Sequence, residues 1–203
     1  MTEVKLCGMS RPEDIEAVNA LEPRYVGFVF YPGSRRNVSP EAAKVLVDSL
    51  KPGITPVGVF LDAEPDFVEM CCSVSGVRAV QIHGAFGNSY VERIRSLTHL
   101  SVIQAFKVSS RDDLERASKS TADEILLDNG YGGTGESFDW SLLRHFRRRY
   151  FLAGGLTPAN VKNAITCAHP YAVDVSSGIE TENVKDPAKM SAFMDAVREA
   201  DSQ

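Results

Sequence analysis

Two side chains of this 203-residue sequence suit proton transfer, and each stands where a short apolar run ends. Cys7 ends the run at 4–7, and Asp128 ends the run at 124–128. A free thiol is a few per cent ionised at neutral pH and is then a base. A carboxyl group at the end of a buried strand becomes a general acid when desolvation raises its pKa. The structural alternatives are a small buried cysteine and a turn aspartate bound to its own loop amides.

Two glycine-rich segments suit phosphate binding. Gly154 and Gly155 follow one apolar run, and Ser176, Ser177 and Gly178 follow the next. Glycines let a phosphate approach backbone N–H groups, hydroxyls add donors, and a following helix N-terminus adds partial positive charge. Each segment alone fits a tight turn with a helix cap better. Together they fit a phosphate site and a pair of turns equally well.

Two further side chains are candidates for substrate binding. Arg36 lies in a polar loop, where a guanidinium binds a carboxylate through two hydrogen bonds or stays solvated on the surface. His83 follows an apolar run and is either a ligand contact or a structural histidine. The 4 histidines and 4 cysteines include no pair at metal-ligand spacing, so we expect no metal. No G-x-S-x-G motif indicates a serine hydrolase.

A repeating pattern of short β-branched runs and longer helical segments carries these residues. The predicted strands are 4–7, 25–30, 55–61, 79–82, 101–107, 124–128, 150–152 and 172–175. The predicted helices are 12–20, 40–50, 65–73, 89–96, 111–119, 140–148, 158–166 and 187–200. Three of the helix starts pair a capping side chain with a proline: Ser39-Pro40, Thr157-Pro158 and Asp186-Pro187.

Eight strand–helix units predict an α/β fold, a compact single-domain (β/α)8 TIM barrel over residues 1–203. A doubly wound sheet is the alternative, but its glycine-rich first turn is missing from Cys7-Gly8-Met9. Active sites of barrels lie at the C-terminal ends of the strands, where all the candidate residues would meet. The glycine cluster from Gly130 to Gly135 is expected to close over a ligand as a lid.

Composition and charge exclude several classes of protein. Apolar residues make up 43% and charged residues 24% of the chain, which argues against disorder. The net charge is −5 and the longest cationic run is Arg147-Arg148-Arg149, so we expect no nucleic-acid partner. No apolar stretch is long enough for a membrane span, and the N-terminus lacks the pattern of a signal peptide. Free thiols in the cytoplasm are therefore expected for the cysteines, which are Cys7, Cys71, Cys72 and Cys167.

Six short strings, spread in order along the chain, resemble one known family, the phosphoribosylanthranilate isomerases. They are Lys5-Leu6-Cys7-Gly8, Gln81-Ile82-His83-Gly84, Gly132-Gly133-Thr134-Gly135, Phe138-Asp139-Trp140, Ala153-Gly154-Gly155-Leu156 and Asp174-Val175-Ser176-Ser177-Gly178-Ile179-Glu180. The resemblance implies an Amadori rearrangement of N-(5-phosphoribosyl)anthranilate in tryptophan biosynthesis, on a small barrel, without metal or cofactor. It also implies a small-molecule phosphosugar substrate and a monomer or weak homodimer.

The same resemblance assigns roles to the candidate residues. It implies that Cys7 is the base and Asp128 the general acid. It implies that Arg36 holds the anthranilate, although the family's Ser-Pro-Arg here reads Ser34-Arg35-Arg36 and so offers two arginines. We expect His83, together with Gly154, Gly155, Ser176, Ser177 and Gly178, among the remaining substrate contacts.

Other enzymes and other classes remain as alternatives. Indole-3-glycerol phosphate synthase should be longer and have a catalytic lysine pattern, and the histidine-pathway aminoaldose isomerase should have aspartate at position 7. Metal-dependent pentose-phosphate epimerases need inward histidine and aspartate ligands. The alternatives outside the sugar-phosphate enzymes are a catalytically silent phosphate-binding barrel and a thiol hydrolase that uses Cys7.

Overall fold

The computed structural model describes residues 1–128, Trp140, Leu143 and residues 146–202. The barrel strands are β1 (Glu3–Cys7), β2 (Tyr25–Val29), β3 (Thr55–Leu61), β4 (Ala79–His83), β5 (Ser101–Lys107), β6 (Glu124–Asp128), β7 (Tyr150–Leu152) and β8 (Ala172–Val175). The helices are α1 (Pro12–Leu21), α2 (Pro40–Asp48), α3 (Pro65–Ser75), α4 (Asn88–Thr98), α5 (Arg111–Ser118), α6 (Val161–Ala168) and α7 (Pro187–Asp201).

The eight strands close into a barrel in chain order, and every neighbouring pair is parallel. Closure is made by β1, which pairs with β2 on one side and with β8 on the other. A doubly wound sheet has two open edges, so this pairing rules it out. The predicted (β/α)8 barrel is confirmed.

Two apolar cores stabilise the barrel, because side chains alternate between the two faces of each strand. The outer core lies between strands and helices and includes Phe28 and Phe193, both fully buried. Burial of such a side chain contributes roughly 1.5–3 kcal/mol. The inner core fills the bore and consists of Val57, Ala79, Ile103, Ala105, Leu126, Phe151, Ala153 and Ala172, with Tyr25 and Tyr171 packed against it.

Two of the predicted helix caps are confirmed and one is wrong. Ser39 Oγ accepts a hydrogen bond from Ala42 N, and the Asp186 carboxylate accepts from the first turn of α7. The prediction that Thr157-Pro158 begins a helix is wrong, since α6 begins at Val161. Asn160 Oδ1 accepts from Thr157 N and Asn160 Nδ2 donates to Gly155 O. These bonds hold residues 155–160 as a turn, and the helix starts only after it.

An unpredicted hairpin follows the last barrel strand. After a short 3-10 helix, Ser177–Ile179, the antiparallel strands β9 (Glu180–Thr181) and β10 (Val184–Lys185) pair with each other. The predicted lid loop, Gly130 to Gly135, lies outside the described residues, as do residues 141, 142, 144 and 145 of the predicted helix 140–148. Within the described part of the chain, no helix combines the length and apolarity that a membrane crossing needs.

Candidate active site

Cys7 points into the barrel at its C-terminal mouth. Its register partner on β2 is Gly27, which in turn pairs with Val57 of the inner core. A Cβ placed on Gly27 would lie 2.7 Å from Cys7 Sγ and 3.1 Å from Lys5 Nζ, so both side chains face the bore. Only glycine at position 27 leaves room for them. The thiol is 7% exposed and therefore lies just below the surface of the mouth.

An ion pair lies in the bore beneath this thiol. Lys5 is fully buried, and its Nζ donates to Asp174 Oδ1 at 2.9 Å. The two residues are register partners on β1 and β8, which explains how side chains 169 residues apart meet. Burial lowers the pKa of Lys5, but its interactions with Asp174 and Cys7 outweigh burial and the pKa is raised. Lys5 is therefore an ammonium ion at neutral pH.

The environment of Cys7 opposes ionisation on balance. Burial raises the pKa of the thiol, the charge of Lys5 lowers it, and the charge of Asp174 raises it again. Lys185, from the hairpin, also lowers the pKa. The net pKa is raised, so the thiol is mainly protonated at neutral pH.

Asp128 stands at the same mouth, at the end of β6, three strands from β1 through β7 and β8. It borders two cavities. One, the anion cavity, has a volume of about 330 Å³ and is lined by Arg35, Arg36, Asp128, Ala153, Gly154, Gly155, Leu156, Asp174, Ser176 and Ser177. The other, the aromatic cavity, has about 770 Å³ and includes His83, Phe86 and Phe106 in its wall. A ligand that fills the anion cavity therefore touches Asp128.

The two glycine-rich segments meet in the wall of the anion cavity. Gly154 and Gly155 have φ of +91° and +65°, a backbone that L side chains rarely adopt. Ser176 and Ser177 line the opposite wall, but Gly178 is not among the lining residues. A Cβ on Gly178 would overlap the carbonyl oxygen of Leu156, so this glycine lets the two segments pack together.

The predicted contribution of a helix N-terminus takes a different form from the one expected. No α-helix starts directly after Gly155, since α6 begins at Val161. The segment after β8 leads into the 3-10 helix rather than an α-helix. The chemistry available to an anion here is therefore that of backbone N–H groups, the hydroxyls of Ser176 and Ser177, and the adjacent guanidinium groups.

Both candidate arginines lie at the anion cavity, and they differ in burial and contacts. The Arg36 side chain is 21% exposed and that of Arg35 is 51% exposed. Arg36 donates to both carboxylate oxygens of Glu180, from Nε at 2.6 Å and from Nη2 at 2.8 Å. A Cβ on Gly8 would lie 2.5 Å from Arg36 Cδ, so the Arg36 side chain crosses the backbone directly after Cys7. Of the two arginines, Arg36 is the one fixed over the thiol.

His83 faces the bore across from Lys5, in the wall of the aromatic cavity beside Asp128. Burial lowers the pKa of His83, although the charge of Asp128 raises it, so the ring is neutral at neutral pH. Gln81, two residues earlier on the same face, has its Nε2 atom 2.6 Å from His83 Nε2. An amide N–H donating there leaves the ring proton on Nδ1. His83 offers a ligand one neutral hydrogen-bonding group.

The sequence analysis did not identify two charged residues of the site, Lys185 and Asp174. Lys185 stands in the hairpin β9–β10, which no pattern predicted, and it is 6% exposed. Asp174 begins a quoted string but received no role. Its signal was available, since it shares the inward face of β8 with Ala172. The candidate residues Cys7, Asp128, Arg36, His83, Gly154, Gly155, Ser176 and Ser177 do come together at one mouth.

Comparison with known proteins identifies the family. The model of the N-(5'phosphoribosyl)anthranilate (PRA) isomerase family matches residues 4–196. An N-(5'-phosphoribosyl)anthranilate isomerase of Acetivibrio thermocellus is 42% identical over 99% of this chain and 98% of its own length. One from Clostridium kluyveri is 38% identical over 98% of each chain.

Solved structures agree with the sequence relatives. The phosphoribosyl anthranilate isomerase of Thermotoga maritima superposes with a TM-score of 0.91 at 39% identity, covering 98% of this chain and 100% of that one. Another, a complex with reduced 1-(o-carboxyphenylamino)-1-deoxyribulose 5-phosphate, has a TM-score of 0.88 at 37% identity and the same coverage. The chain therefore belongs to the N-(5'-phosphoribosyl)anthranilate isomerase family and is an isomerase of tryptophan biosynthesis.

Proposed function

We propose that this chain rearranges N-(5-phosphoribosyl)anthranilate to 1-(2-carboxyphenylamino)-1-deoxyribulose 5-phosphate with Cys7 as general base and Asp128 as general acid. The observation that carries the assignment is the shared mouth. Asp128 lines the anion cavity together with Arg36 and the two glycine-rich segments. Cys7 lies directly below the Arg36 side chain and faces the same bore. Cys7 is not itself a lining residue of that cavity, so a ligand that contacts Asp128 there would have to extend into the bore to reach the thiol.

The substrate carries a phosphate and a carboxylate, and the site offers a partner for each. The phosphate would bind between Gly154, Gly155, Ser176 and Ser177, where two loops face each other across the cavity. Gly178 would act indirectly, by letting the loops pack closely.

The anthranilate carboxylate would bind Arg36, which is better fixed than Arg35. A planar guanidinium forms paired hydrogen bonds with a carboxylate. His83 would donate from its neutral ring to the sugar near Asp128.

The reaction then takes two proton transfers. Asp128, protonated, donates to the ribose ring oxygen, the ring C–O bond breaks, and the nitrogen lone pair forms an iminium. The iminium acidifies the C–H bond at C2, and the Cys7 thiolate removes that proton. The electron pair of the C–H bond becomes the enolamine double bond, and tautomerisation gives the ketone. Such proton transfers typically contribute about 10²–10⁴-fold each.

The raised pKa of Cys7 fits this order of events. Burial holds the thiol mainly protonated, while Lys5 and Lys185 oppose that effect. The iminium would add a positive charge beside the thiol, and an opposite charge nearby favours the thiolate. The proton that the thiol gives up would pass to solvent at the mouth, and the thiolate would then remove the C2 proton.

Location and assembly follow as part of the same proposal. All four cysteines are unpaired, as expected for a protein that works in the reducing cytoplasm. One solved relative is described as a monomeric form of the dimeric Thermotoga maritima enzyme. We infer a monomer or weak homodimer of the 22.2 kDa chain, and a stable larger assembly in sedimentation would contradict this.

Substitution of the two proposed proton-transfer groups tests the assignment. Cys7→Ser and Asp128→Asn should each lower kcat by about 10²–10⁴-fold, with KM changed far less, because both groups act on the reacting atoms. Turnover is followed by the fluorescence change as freshly prepared N-(5-phosphoribosyl)anthranilate is consumed. Cys167→Ser, which replaces an exposed thiol, is the matched control and should keep wild-type kcat. Wild-type turnover by Cys7→Ser would remove Cys7 from its role.

A further inference from the structure

One buried carboxylate beside the site has no role in the mechanism above. The side chain of Glu180 is 4% exposed and accepts hydrogen bonds from three cationic residues. Arg36 binds both of its oxygens, Arg35 Nη2 lies 3.0 Å from Oε2, and Lys185 Nζ lies 2.7 Å from Oε1. A surface ion pair contributes little, but a carboxylate enclosed in this way fixes the groups around it.

The hairpin β9–β10 explains why Glu180 and Lys185 meet. They are direct cross-strand partners in the antiparallel register. The two turn residues between the strands, Glu182 and Asn183, have φ of +51° and +67°, as in a two-residue type I′ turn. Such a turn fixes the register of a hairpin, so the chain itself sets the two opposite charges side by side.

Lys185 connects this carboxylate to the proposed phosphate site. Its Nζ donates to the backbone oxygen of Ser176 at 2.8 Å and lies 3.3 Å from Ser176 Oγ. A Cβ on Gly8 would lie 3.3 Å from the same Oγ and 2.5 Å from Arg36 Cδ. Arg36 and Ser176 are therefore neighbours at Gly8. Glu180 binds Arg36, and Lys185 binds Ser176.

The charges of this group suit a doubly anionic ligand. Arg35, Arg36 and Lys185 carry three positive charges and Glu180 one negative charge, so two positive charges remain in excess. Burial raises the pKa of Glu180, but hydrogen bonds from Arg36 and Lys185 outweigh it and lower the pKa to about 2. Glu180 is thus ionised at any working pH. Glu180 accepts hydrogen bonds from Arg36 Nε and Nη2, so the other edge of the guanidinium, formed by Nη1 and Nη2, faces away from Glu180.

We propose that Glu180 and Lys185 are positioning residues that hold the Arg36 guanidinium and the Ser176 loop in fixed relation, so that the two anionic ends of one substrate bind together. This inference rests on the proposed function, which gives Arg36 the carboxylate and Ser176 the phosphate. In this proposal neither Glu180 nor Lys185 contacts the substrate. Glu180 acts on substrate binding, whereas Lys185 acts there and also, through its charge, on the pKa of Cys7.

Kinetics of Glu180→Gln and Lys185→Met test the proposal. Both variants should raise KM about tenfold; Glu180→Gln should lower kcat less than threefold, and Lys185→Met should lower it more, because it also removes a cation that lowers the pKa of Cys7. Inhibition by inorganic phosphate, which probes the Ser176 end alone, should weaken about tenfold in Lys185→Met and also in Glu180→Gln, whose carboxylate holds Lys185. Lys185→Arg, which keeps the charge, should recover most of the phosphate affinity.

Lys189→Met is the matched control. Lys189 Nζ donates to the backbone oxygen of Glu180 at 2.7 Å, so this variant removes a nearby cation and leaves the carboxylate and its partners in place. Its KM and phosphate inhibition should stay at wild-type values. Thermal unfolding of each variant shows whether it is folded. If Glu180→Gln does not fold, Lys185→Met decides the matter by the same two measurements.

The outcomes separate this inference from the proposed function. Wild-type KM and wild-type phosphate inhibition in folded Glu180→Gln or Lys185→Met overturn the positioning role. Arg36→Ala, measured in parallel, should raise KM at least as much as Glu180→Gln. If Arg36→Ala keeps wild-type KM, the carboxylate site itself is wrongly assigned. If Arg36→Ala raises KM and the other two variants do not, the positioning role alone fails.

Discussion

At the scale of single residues, the proposed proton chemistry depends on a base, Cys7, that is held in its acid form. Burial raises the pKa of Cys7, Lys5 and Lys185 lower it, and Asp174 raises it. Arg36, which crosses above the thiol, adds a further positive charge from the mouth. The pKa of Cys7 is therefore set together by groups on β1, on β8, in the loop after β2 and in the hairpin β9–β10. Each of these groups can be substituted separately.

The pH dependence of turnover reads out this balance. The base acts as a thiolate, so kcat/KM should rise with pH until the raised pKa of Cys7 is passed. Lys5→Met removes a cation that lowers this pKa, so the rising limb should move to higher pH. Asp174→Asn removes an anion that raises it, so the limb should move to lower pH. Profiles of kcat/KM measured between about pH 5 and 10, with rising limbs displaced on the order of one pH unit, would show both shifts.

The opposite signs separate an electrostatic effect from damage to the fold. Both substitutions break the same buried pair, and an unpaired buried charge destabilises a protein by about 3–5 kcal/mol. Destabilisation alone would lower activity in both variants without moving the two limbs apart. Limbs that move in the same direction would contradict the proposed control of Cys7 by its neighbours.

Sequence reasoning identified the end-of-strand residues well and their partners poorly. Cys7 and Asp128 were found because apolar runs mark strand ends, and strand ends form the mouth of a barrel. The partner Asp174 lies 169 residues from Lys5, and only the closure of β8 onto β1 brings them together. Such a contact depends on register, which one sequence does not specify.

At the scale of elements, the site depends on how the segments after β7 and β8 pack. Gly178 makes this packing possible, because a side chain there would meet the carbonyl oxygen of Leu156. The N-terminal boundaries of the later elements were harder to predict than the barrel strands. The side chain of Asn160 closes a turn ahead of α6, and the turn Glu182-Asn183 lacks the usual Asn-Gly pattern of hairpins. Local hydrogen bonds of this kind override a simple proline-capping rule.

Gly178→Ala tests the contact between the two segments. The added methyl group must displace backbone, not a flexible side chain, so we expect a loss of about 1–3 kcal/mol in the free energy of unfolding. Because Leu156 follows Gly154 and Gly155 directly, the phosphate inhibition constant should rise as well. Denaturant titration and phosphate inhibition measure the two effects. Unchanged values in both would show that the segments do not pack as described.

At the scale of the whole molecule, charge is distributed unevenly. The chain carries a net charge of −5, yet the anion cavity has Arg35 and Arg36 in its wall. Local positive potential of this kind binds an anionic substrate on an acidic protein. Among the residues that the structure describes, no group of three or more His, Cys, Asp or Glu side chains has the arrangement of a metal site. The proposed mechanism takes its charge stabilisation from the guanidinium groups, hydroxyls and backbone N–H groups at the anion cavity.

Removal of metal ions tests that view of the whole enzyme. Activity measured after prolonged treatment with a chelator should equal that of the untreated enzyme, because the proposed donors are backbone N–H groups, hydroxyls and guanidinium groups. The untreated sample carried through the same dialysis is the control. Lost activity that returns on addition of a divalent cation would contradict the metal-free mechanism.

The aromatic floor of the bore has a consequence for the course of catalysis. Tyr25 and Tyr171 share a hydrogen bond of 3.0 Å between their hydroxyls and pack edge-on against Phe151, which closes the end of the barrel opposite the mouth. Within the described part of the barrel, a molecule that arrives by the open end meets this aromatic floor. The ketone product must leave by the path along which the aminosugar substrate entered. Accumulated product therefore competes with fresh substrate for the site, and turnover slows late in a time course.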